Sequence, residues 1–537
     1  MQFQNANQIA SSSLLKTDVC IIGSGAASLA IAQELNNTSL NVIIVEAGGL
    51  KYEEKLQTDY KYEFPNWFRG QWISTRSRAV GGTTIAWYGR CAQLQPLDFQ
   101  HRDWVRNSGW PIDISQVDQY KQRALKFLRV PEPAGIDPNF WDGNLTRKSF
   151  RSSMLEPRNF VWSNPTDMGD IHSHWLKESK NISLYYYAFA QEVVPSSGDN
   201  HIETVKVRNL SGASFQIQAS TVILAGGTVE NSRLLLLSQA NSENGVGNAH
   251  DNVGRYYMDH PRTEGKSTVH INKNNLNWKA IYRYLDETET PNGVLQFFLT
   301  MSEAFQRENR LLNHCTMVRP VYFEKRNNSY LAAKRIFYAA KDRNLSELQT
   351  VDALKAAYGF RKLVSTGIKQ AMGTPLTISH MELIDQLEQE PNPNSRVLLS
   401  RRRDRFNQPM ARIEWQIDES TTHSLRVFHQ LIDEHLRKNN LGHLESPLLK
   451  DPNFVPDYTD ACHPSGTTRM SADPKDGVVD ENCAVHGYDN LYVMGGSVFP
   501  ASGHANPTVT IVALAIRLAE RVKEKNRINQ VNQLVVH

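Results

Sequence analysis

The sequence predicts an α/β fold in which a Rossmann-like nucleotide-binding domain is assembled from segments far apart in the chain. Residues 17–22 form an apolar run that suits a buried parallel strand, and a Gly-Ser-Gly run follows at 23–25. A second strand, glycine turn and helix are predicted over residues 221–237. Apolar runs in the middle of the chain, such as residues 295–299 and 411–415, predict an additional antiparallel sheet.

The composition indicates a globular protein with more than one domain. A chain of 537 residues is expected to form roughly two to four domain-sized units. Apolar residues make up 40% and charged residues 21%, which excludes a disordered chain. The net charge of +3 indicates no acidic partner, and we expect no nucleic acid. The basic run at 401–405 predicts a solvated hairpin turn, with nucleic-acid binding as the weaker alternative.

The cysteines and the apolar runs bear on location. The chain has five cysteines, and their spacing fits neither a metal site nor a disulfide framework. We therefore expect no metal and a reducing compartment. No apolar run approaches the roughly 18 residues of a membrane span, and residues 1–13 lack the layout of a signal peptide. The prediction is a cytoplasmic protein without a transmembrane segment.

The first glycine loop predicts a dinucleotide site. Gly23 permits a tight turn, and Gly25 lets backbone N–H groups approach a pyrophosphate at the positive end of the following helix. Ser28 replaces the usual third glycine and is still small. Glu46 ends the second strand, where it can accept hydrogen bonds from a ribose diol and disfavours a 2′-phosphate. The loop leaves NAD and FAD open, and an ordinary glycine-rich turn is the alternative.

Two further segments carry candidate chemistry. Gly81 and Gly82 are followed by two threonines, which suits a loop around a large ligand, although a hairpin turn fits as well. Near the end of the chain, His463 lies in a turn-rich segment and Asn506 precedes an apolar run. Asn506 suits a helix N-cap and Pro507 the first helical position. Residues 329–369 contain few helix breakers and are expected to be helical.

Taken together, these segments resemble the glucose–methanol–choline (GMC) family of FAD-dependent alcohol oxidases and dehydrogenases. The resemblance runs from residue 18 to about residue 522 and is greatest to the bacterial sugar dehydrogenase and pyranose oxidase side. It rests on five ordered motifs: the loops at 23–25 and 81–84, the turn at 225–227, the segment 253–261 and the block 463–515. It implies a discontinuous FAD-binding domain over residues 13–100, 165–262 and 455–530. The substrate-binding domain and cap would take residues 101–164 and 263–454.

The resemblance also implies a reaction. Oxidation of a CH–OH group requires a base for the hydroxyl proton while hydride leaves for flavin N5. In the family a histidine at the position of His463 is that base, and the paired group matches Asn506. His504 is the alternative partner, because some relatives carry a histidine there. A non-redox enzyme of lyase type and a nonenzymatic nucleotide-binding protein are the competing interpretations.

The cofactor is expected to be noncovalent FAD, because Ala86 stands where relatives with covalent flavin carry histidine. A small-molecule alcohol is the expected substrate, while the electron acceptor (oxygen, quinone or redox protein) and a small accessory subunit stay open. The residues expected to bind the cofactor are Gly23, Gly25, Ala26, Ala27, Glu46, Arg78, Gly81, Gly82, Thr83, Thr84, Val193, Ala225, Gly226, Gly496, Ser497, Pro507 and Thr508.

Overall fold

The computed structural model describes residues 3–58, 62–65, 76–131, 145–198, 200–240, 242–272, 274–275, 285, 288–290, 293–322, 336 and 378–535. The helical prediction for residues 329–369 therefore lies outside the described residues, apart from one position.

The strands share two large sheets and one hairpin. They are β1 Phe3–Asn5, β2 Leu14–Ile22, β3 Val42–Glu46, β4 Arg90–Cys91, β5 Leu155–Trp162, β6 Ile182–Tyr186, β7 Ala188–Pro195, β8 Ile202–Asn209, β9 Ser214–Leu224, β10 Pro261–Ile271, β11 Thr288–Thr290, β12 Gly293–Met301, β13 Cys315–Tyr322, β14 Ile378–Gln386, β15 Arg396–Arg403, β16 Pro409–Glu414, β17 Gly442–Glu445, β18 Thr459–Asp460 and β19 Leu491–Val493.

The α-helices that connect them are α1 Ala26–Leu35, α2 Pro96–Phe99, α3 Ser115–Asp118, α4 Lys121–Phe127, α5 Leu145–Phe150, α6 Met168–Glu178, α7 Thr228–Leu237, α8 Glu303–Asn309, α9 Glu419–Lys438, α10 Pro447–Lys450 and α11 Thr508–Val535.

The first sheet joins the two ends of the described chain. Its strands follow the order β1-β6-β3-β2-β9-β8-β7, and β19 pairs with β9. The pairs between β2 and β3, β2 and β9, and β9 and β19 are all parallel. Since parallel strands present their carboxyl ends at one edge, the loops after β2, β3, β9 and β19 converge. An N-terminal glycine loop and a C-terminal one thereby lie side by side.

Burial along β9 shows why one strand serves two kinds of pairing. Its first half alternates between exposed and buried residues, and that half pairs with the antiparallel β8. Its last four residues are all buried, where β2 and β19 flank it in parallel and helices cover the sheet. β3 is likewise buried along its whole length. The apolar runs from which these strands were predicted therefore correspond to the covered part of the sheet.

The second sheet is antiparallel and lies beside the first. Its order is β17-β10-β14-β13-β12-β5-β4, with β11 on β12 and β18 on β10. The helix α9 is amphipathic: Leu425, Phe428, Leu431, Ile432 and Leu436 are all buried, at helical spacing. Most of these side chains share one core with residues of the second sheet.

The segments of the second sheet do not coincide fully with the expected domain ranges. β4 and β18 belong to it, although both fall within ranges assigned by sequence to the FAD-binding domain. The division into 13–100, 165–262 and 455–530 against 101–164 and 263–454 stays a prediction.

The basic run forms the predicted hairpin. β15 and β16 pair in antiparallel fashion, and Arg401, Arg402 and Arg403 are exposed at the end of β15. Asp404 in the turn forms an ion pair with Arg233 at 2.6 Å. In the part of the chain that the structure describes, no helix combines the length and apolar character needed to cross a membrane.

Candidate active site

A cavity of about 640 Å³ opens where the carboxyl edge of the first sheet meets β10 and β14 of the second. Its wall contains the residues after β2, β3, β9 and β19 and the segment 460–464. This is the kind of crevice in which open α/β sheets bind ligands, and the volume suits a cofactor or substrate.

The first glycine loop exposes the start of α1 to the cavity. Gly23 has φ +99°, and a Cβ there would lie 2.6 Å from the carbonyl oxygen of Ala225. A Cβ on Gly25 would meet no atom within 4 Å, so space lies in front of it. Gly25 caps α1 without a side-chain hydrogen bond. The first N–H groups of the helix are thus directed toward a space that an anionic group can enter.

Glu46 braces this loop from the end of β3. Its Oε2 accepts hydrogen bonds from the backbone N–H of Ser24 at 3.0 Å and from the Ser24 hydroxyl at 2.6 Å. Its Oε1 accepts from the N–H of Gly48 at 2.7 Å. Burial raises the pKa of Glu46, and these hydrogen bonds oppose that shift. Oε1 has a second lone pair and can accept a further bond, so Glu46 can hold the loop and a ribose hydroxyl together.

The second glycine loop packs directly against the first. Gly81 and Gly82 both have positive φ, at +101° and +57°. A Cβ on Gly82 would lie 2.9 Å from the Cα of Gly25, so the close approach of the loops requires glycine. The Thr84 hydroxyl donates to the carbonyl of Gly81 at 2.6 Å and accepts from the N–H of Met168 at 3.1 Å. The loop is therefore fixed to α6 on its outer side.

Most of the residues expected to bind the cofactor lie in the cavity wall. They are Gly23, Gly25, Ala26, Ala27, Glu46, Arg78, Gly82, Thr83, Thr84, Ala225, Gly226, Gly496, Pro507 and Thr508.

Three expected cofactor residues are not in this wall. Gly81 faces α6, where a Cβ would lie 2.7 Å from the N–H nitrogen of Gly169. The Val193 side chain is fully buried and its N–H donates to the Ser238 hydroxyl; residues 188–191 of the same strand line the cavity instead. The Ser497 hydroxyl accepts a hydrogen bond from the Asn231 amide at 3.0 Å.

Asn506 lies in the wall, and two strands of the second sheet, β14 and β4, hold its amide. Its Oδ1 accepts from the Gln386 Nε2 at 3.0 Å, and its Nδ2 donates to the Arg90 carbonyl at 3.2 Å. The sequence position of Asn506 predicted a helix N-cap, but its side chain does not cap the helix. α11 begins at Thr508, and the Ile511 N–H donates to the carbonyl of Pro507, which takes the cap position. The second N–H of the Asn506 amide is left for a ligand.

His463 lies in the same wall and is held at its backbone and its ring. Its N–H donates to Asp259 Oδ1 at 2.9 Å, and its Nδ1 lies 3.1 Å from the Nδ1 of His260. Burial lowers the pKa of His463 well below 6.5, and His260, Arg262, Arg76 and Arg90 lower it further. The imidazole is therefore neutral near pH 7, the form that a general base requires.

The contact between the two histidines determines which nitrogen is basic. Burial lowers the pKa of His260 to about 4, so both rings are neutral and each carries one N–H. The His260 ring also makes a backbone hydrogen bond at Ser502 that raises its pKa, which requires it to donate to a carbonyl. With Nδ1 facing His463, we assign that donor to Nε2 of His260. His463 then donates from Nδ1, and its Nε2 carries the lone pair.

His504 does not lie in the cavity wall, in contrast to Asn506. Its ring is buried and packs edge-on against Phe298, with centroids 5.5 Å apart. Its Nδ1 has no hydrogen-bond partner, and its carbonyl accepts from Gln386 at 2.7 Å. Of the two candidates for the second catalytic group, the geometry favours Asn506.

Sequence reasoning missed the residues that hold the pair. His260 belongs to one of the family-like motifs, but nothing in that motif indicated contact with His463. Gln386 ends an ordinary strand and carries no local signal. In the described ranges, no group of three His, Cys, Asp or Glu side chains has the arrangement of a metal site.

Several known proteins are similar in sequence to this chain. The family model described as GMC oxidoreductase matches residues 391–515, the part that contains His463 and Asn506. The large subunit of fructose dehydrogenase from Gluconobacter japonicus is 22% identical, over 95% of this chain and 98% of its own. The chain therefore contains the C-terminal domain of GMC oxidoreductases. Another relative, 6'''-hydroxyparomomycin C oxidase of Streptomyces lividus, is 23% identical over 94% of the chain and 91% of its own.

Solved structures share the fold. A formate oxidase from Aspergillus oryzae RIB40, studied for FAD modification, has a TM-score of 0.56 at 17% identity, covering 97% of this chain and 100% of that one. Pyridoxine 4-oxidase from Mesorbium loti has a TM-score of 0.55 at 15% identity, covering 94% and 99%. The mixed α/β architecture, with a Rossmann-like sheet and an antiparallel sheet, is therefore that of GMC flavoenzymes.

The residues of this chain fit FAD. The open space before Gly25 meets the exposed N–H groups of α1, as a pyrophosphate requires. The starts of α7 and α11 also lie in the wall. The positive end of α11 is close to His463 and Asn506, where it can stabilise negative charge on a reduced flavin.

Proposed function

We propose that this protein oxidises a CH–OH group of a small molecule to a carbonyl, with noncovalently bound FAD as the first electron acceptor. The observation that carries the proposal is that His463 and Asn506 line the same cavity as the Gly25 loop. Ala86, which also lines this cavity, supports noncovalent attachment because its side chain offers no nucleophile. FAD, when bound, supplies the acceptor for the hydride that leaves the alcohol carbon.

His463 and Asn506 take complementary parts. Nε2 of His463 accepts the hydroxyl proton, because Nδ1 is occupied in donating to His260. The remaining N–H of Asn506 donates to the hydroxyl oxygen and stabilises negative charge that develops there. Gln386 makes this possible: its donation to Oδ1 turns the donor side of the amide toward a ligand. The amide has no basic nitrogen, so it does not compete for the proton.

Sugars, polyols and related hydroxylated molecules are the substrates that the relatives favour. Fructose dehydrogenase is similar over 95% of this chain, C-glycoside 3-oxidase from Arthrobacter globiformis over 23% of it and pyranose 2-oxidase from Tricholoma matsutake over 12%. The electron acceptor and an accessory subunit stay open, and the cytoplasmic location stays a prediction.

An anaerobic substrate panel tests the proposal. FAD-loaded protein mixed with individual alcohols should lose its visible flavin absorbance with at least one of them, and admission of air then distinguishes an oxidase from a dehydrogenase. A colourless protein that does not take up FAD would favour a different ligand class. Bound FAD that no alcohol reduces would contradict alcohol oxidation and favour the lyase or nonenzymatic alternatives.

The histidine pair gives a second prediction. His260→Phe removes the acceptor that fixes the tautomer of His463, so we expect flavin reduction to slow about tenfold or more with little change in substrate affinity. His260→Asn keeps an acceptor and should recover part of the rate. A His260→Asn variant as slow as His260→Phe would contradict this positioning role.

A further inference from the structure

The cavity wall around His463 and Asn506 is rich in arginine. Arg76, Arg90 and Arg262 all line it, and each of them lowers the pKa of His463 by its positive charge. Among the described residues of segment 460–464, which borders the same space, Asp460 is the one carboxylate. The cavity wall near His463 therefore carries three guanidinium groups, whereas segment 460–464 contributes one carboxylate.

Strand register places Arg262 beside the catalytic pair. On β10 it is the direct cross-strand partner of Gln386 on β14. Gln386 in turn donates to Asn506. Directly opposed residues of antiparallel strands lie about 5 Å apart at Cβ, so Arg262 and the residue that holds Asn506 share one face.

The charge of Arg262 is incompletely matched by the protein. Its ion pair with Glu264 spans 3.5 Å, while Glu264 also pairs closely with Arg319. The Nε of Arg262 is buried and has no hydrogen-bond partner. Burial lowers the pKa of Arg262, and the neighbouring Arg90 and Arg319 lower it further. A partly buried guanidinium in such surroundings gains more from binding an anion than a fully exposed one does.

Arg90 lies on the other side of Asn506. Its carbonyl accepts the hydrogen bond from the Asn506 amide, and its guanidinium lies over the ring of Trp162, 5.1 Å from the centroid. The stacking orders the side chain, so Arg90 adds positive charge to this end of the cavity. Tyr88, beside it in the wall, is 81% exposed and marks the solvent side of this region.

We propose that the alcohol substrate carries an anionic group, a carboxylate or a phosphate, that Arg262 binds while His463 and Asn506 engage the hydroxyl. This rests on the proposed function. The oxidised carbon loses its O–H proton to Nε2 of His463 and its hydride to FAD, and the anionic group is unchanged. Arg262 is opposite Gln386, which donates to Asn506, so one small molecule can reach both the arginine and the amide.

Matched pairs of probes test the proposal. D-glucitol is compared with D-gluconate, and D-glucose with D-glucuronate and D-glucose 6-phosphate, so that carboxylate and phosphate are distinguished. Binding to FAD-loaded protein is measured by perturbation of the flavin spectrum, and turnover by anaerobic flavin reduction. We expect at least one anionic member to bind about tenfold or more tightly than its neutral partner, with an advantage that shrinks as salt is added.

Arg262→Gln should weaken binding of the anionic probe about tenfold or more and leave that of the neutral partner within about twofold, while Arg262→Lys recovers part of the difference. Arg412→Gln is the matched control, because Arg412 lies outside the cavity wall and pairs with Glu414 at 2.6 Å. This variant should change the binding of neither the anionic probe nor its neutral partner. Equal binding of anionic and neutral partners, or no effect of Arg262→Gln, would overturn the anion site. If anions bind in this way but no alcohol reduces the flavin, the anion site stands and the proposed function fails.

Discussion

His463→Ala is expected to leave FAD bound and to slow its reduction by an alcohol about 100- to 10,000-fold, the usual contribution of a positioned general base. The side chain is in the cavity wall, and its tautomer leaves Nε2 to accept a proton. The backbone contact to Asp259 does not depend on the side chain, so the loop should be retained. The measurement is the limiting rate of anaerobic flavin reduction at saturating alcohol.

The pH dependence of the wild-type rate provides a second readout of the same residue. The pKa of His463 is lowered, so the neutral base is already the main form above pH 6.5. The rate should be flat there and should fall only as pH drops below 6.5 and the imidazole becomes protonated. In His463→Ala this acid limb should vanish. A near-normal rate in the variant would contradict the assignment.

His504→Ala is the matched control for this experiment. His504 has a ring of the same kind, but it is buried behind the cavity against Phe298. The variant is expected to lose stability through the space that the ring leaves, while keeping a reduction rate close to that of the wild type. A large loss of rate with intact FAD binding would instead favour His504 as the second catalytic group.

Gly25→Val is expected to weaken FAD binding by more than about a hundredfold, or roughly 3 kcal/mol, while the FAD-free protein still folds. The backbone of Gly25 is extended, with φ −74° and ψ −175°, so valine can adopt it. Its Cβ would meet no protein atom within 4 Å but would occupy the space proposed for the pyrophosphate. Equilibrium dialysis measures the affinity for FAD, and thermal unfolding of the FAD-free wild type and variant checks that the variant still folds.

Gly23→Ala, unlike Gly25→Val, should lower the stability of the FAD-free protein. Its φ of +99° and the 2.6 Å approach of a Cβ to the Ala225 carbonyl make this a packing position. We expect the free energy of unfolding of the FAD-free protein to fall by about 1–3 kcal/mol, the cost of one strained backbone position. If Gly25→Val retained FAD with wild-type affinity, the cavity in front of α1 would not be the dinucleotide site.

The sequence predicted best where the required property is local. The backbone conformation at residue 23 requires glycine, Gly25 keeps the space before α1 open, and the strand that precedes them ends in a continuous buried apolar run. Glu46 was placed in the same way, since it ends a buried strand next to the loop. The family resemblance added the order of distant motifs, which the convergence of β2, β9 and β19 explains.

The misplacements arose where long-range contacts outweigh local preference. Asn506 has the local preferences of a helix cap, but Gln386 and Arg90, both distant in sequence, engage its amide instead. Val193 was placed two residues past the segment that lines the cavity, because β7 contains no feature that marks where the strand reaches the ligand. His260 meets His463 only through the pairing of β10 with β18, which no periodicity reveals.

The most direct test of the central claim is anaerobic reduction of the FAD-loaded wild-type protein by an alcohol, run with protium and with deuterium at the carbinol carbon. The account predicts that the flavin absorbance disappears in a single turnover, more slowly with deuterium, and that the carbonyl product appears in equal amount. Flavin that stays oxidised with every alcohol in the panel, or that bleaches without forming a carbonyl product, would contradict it.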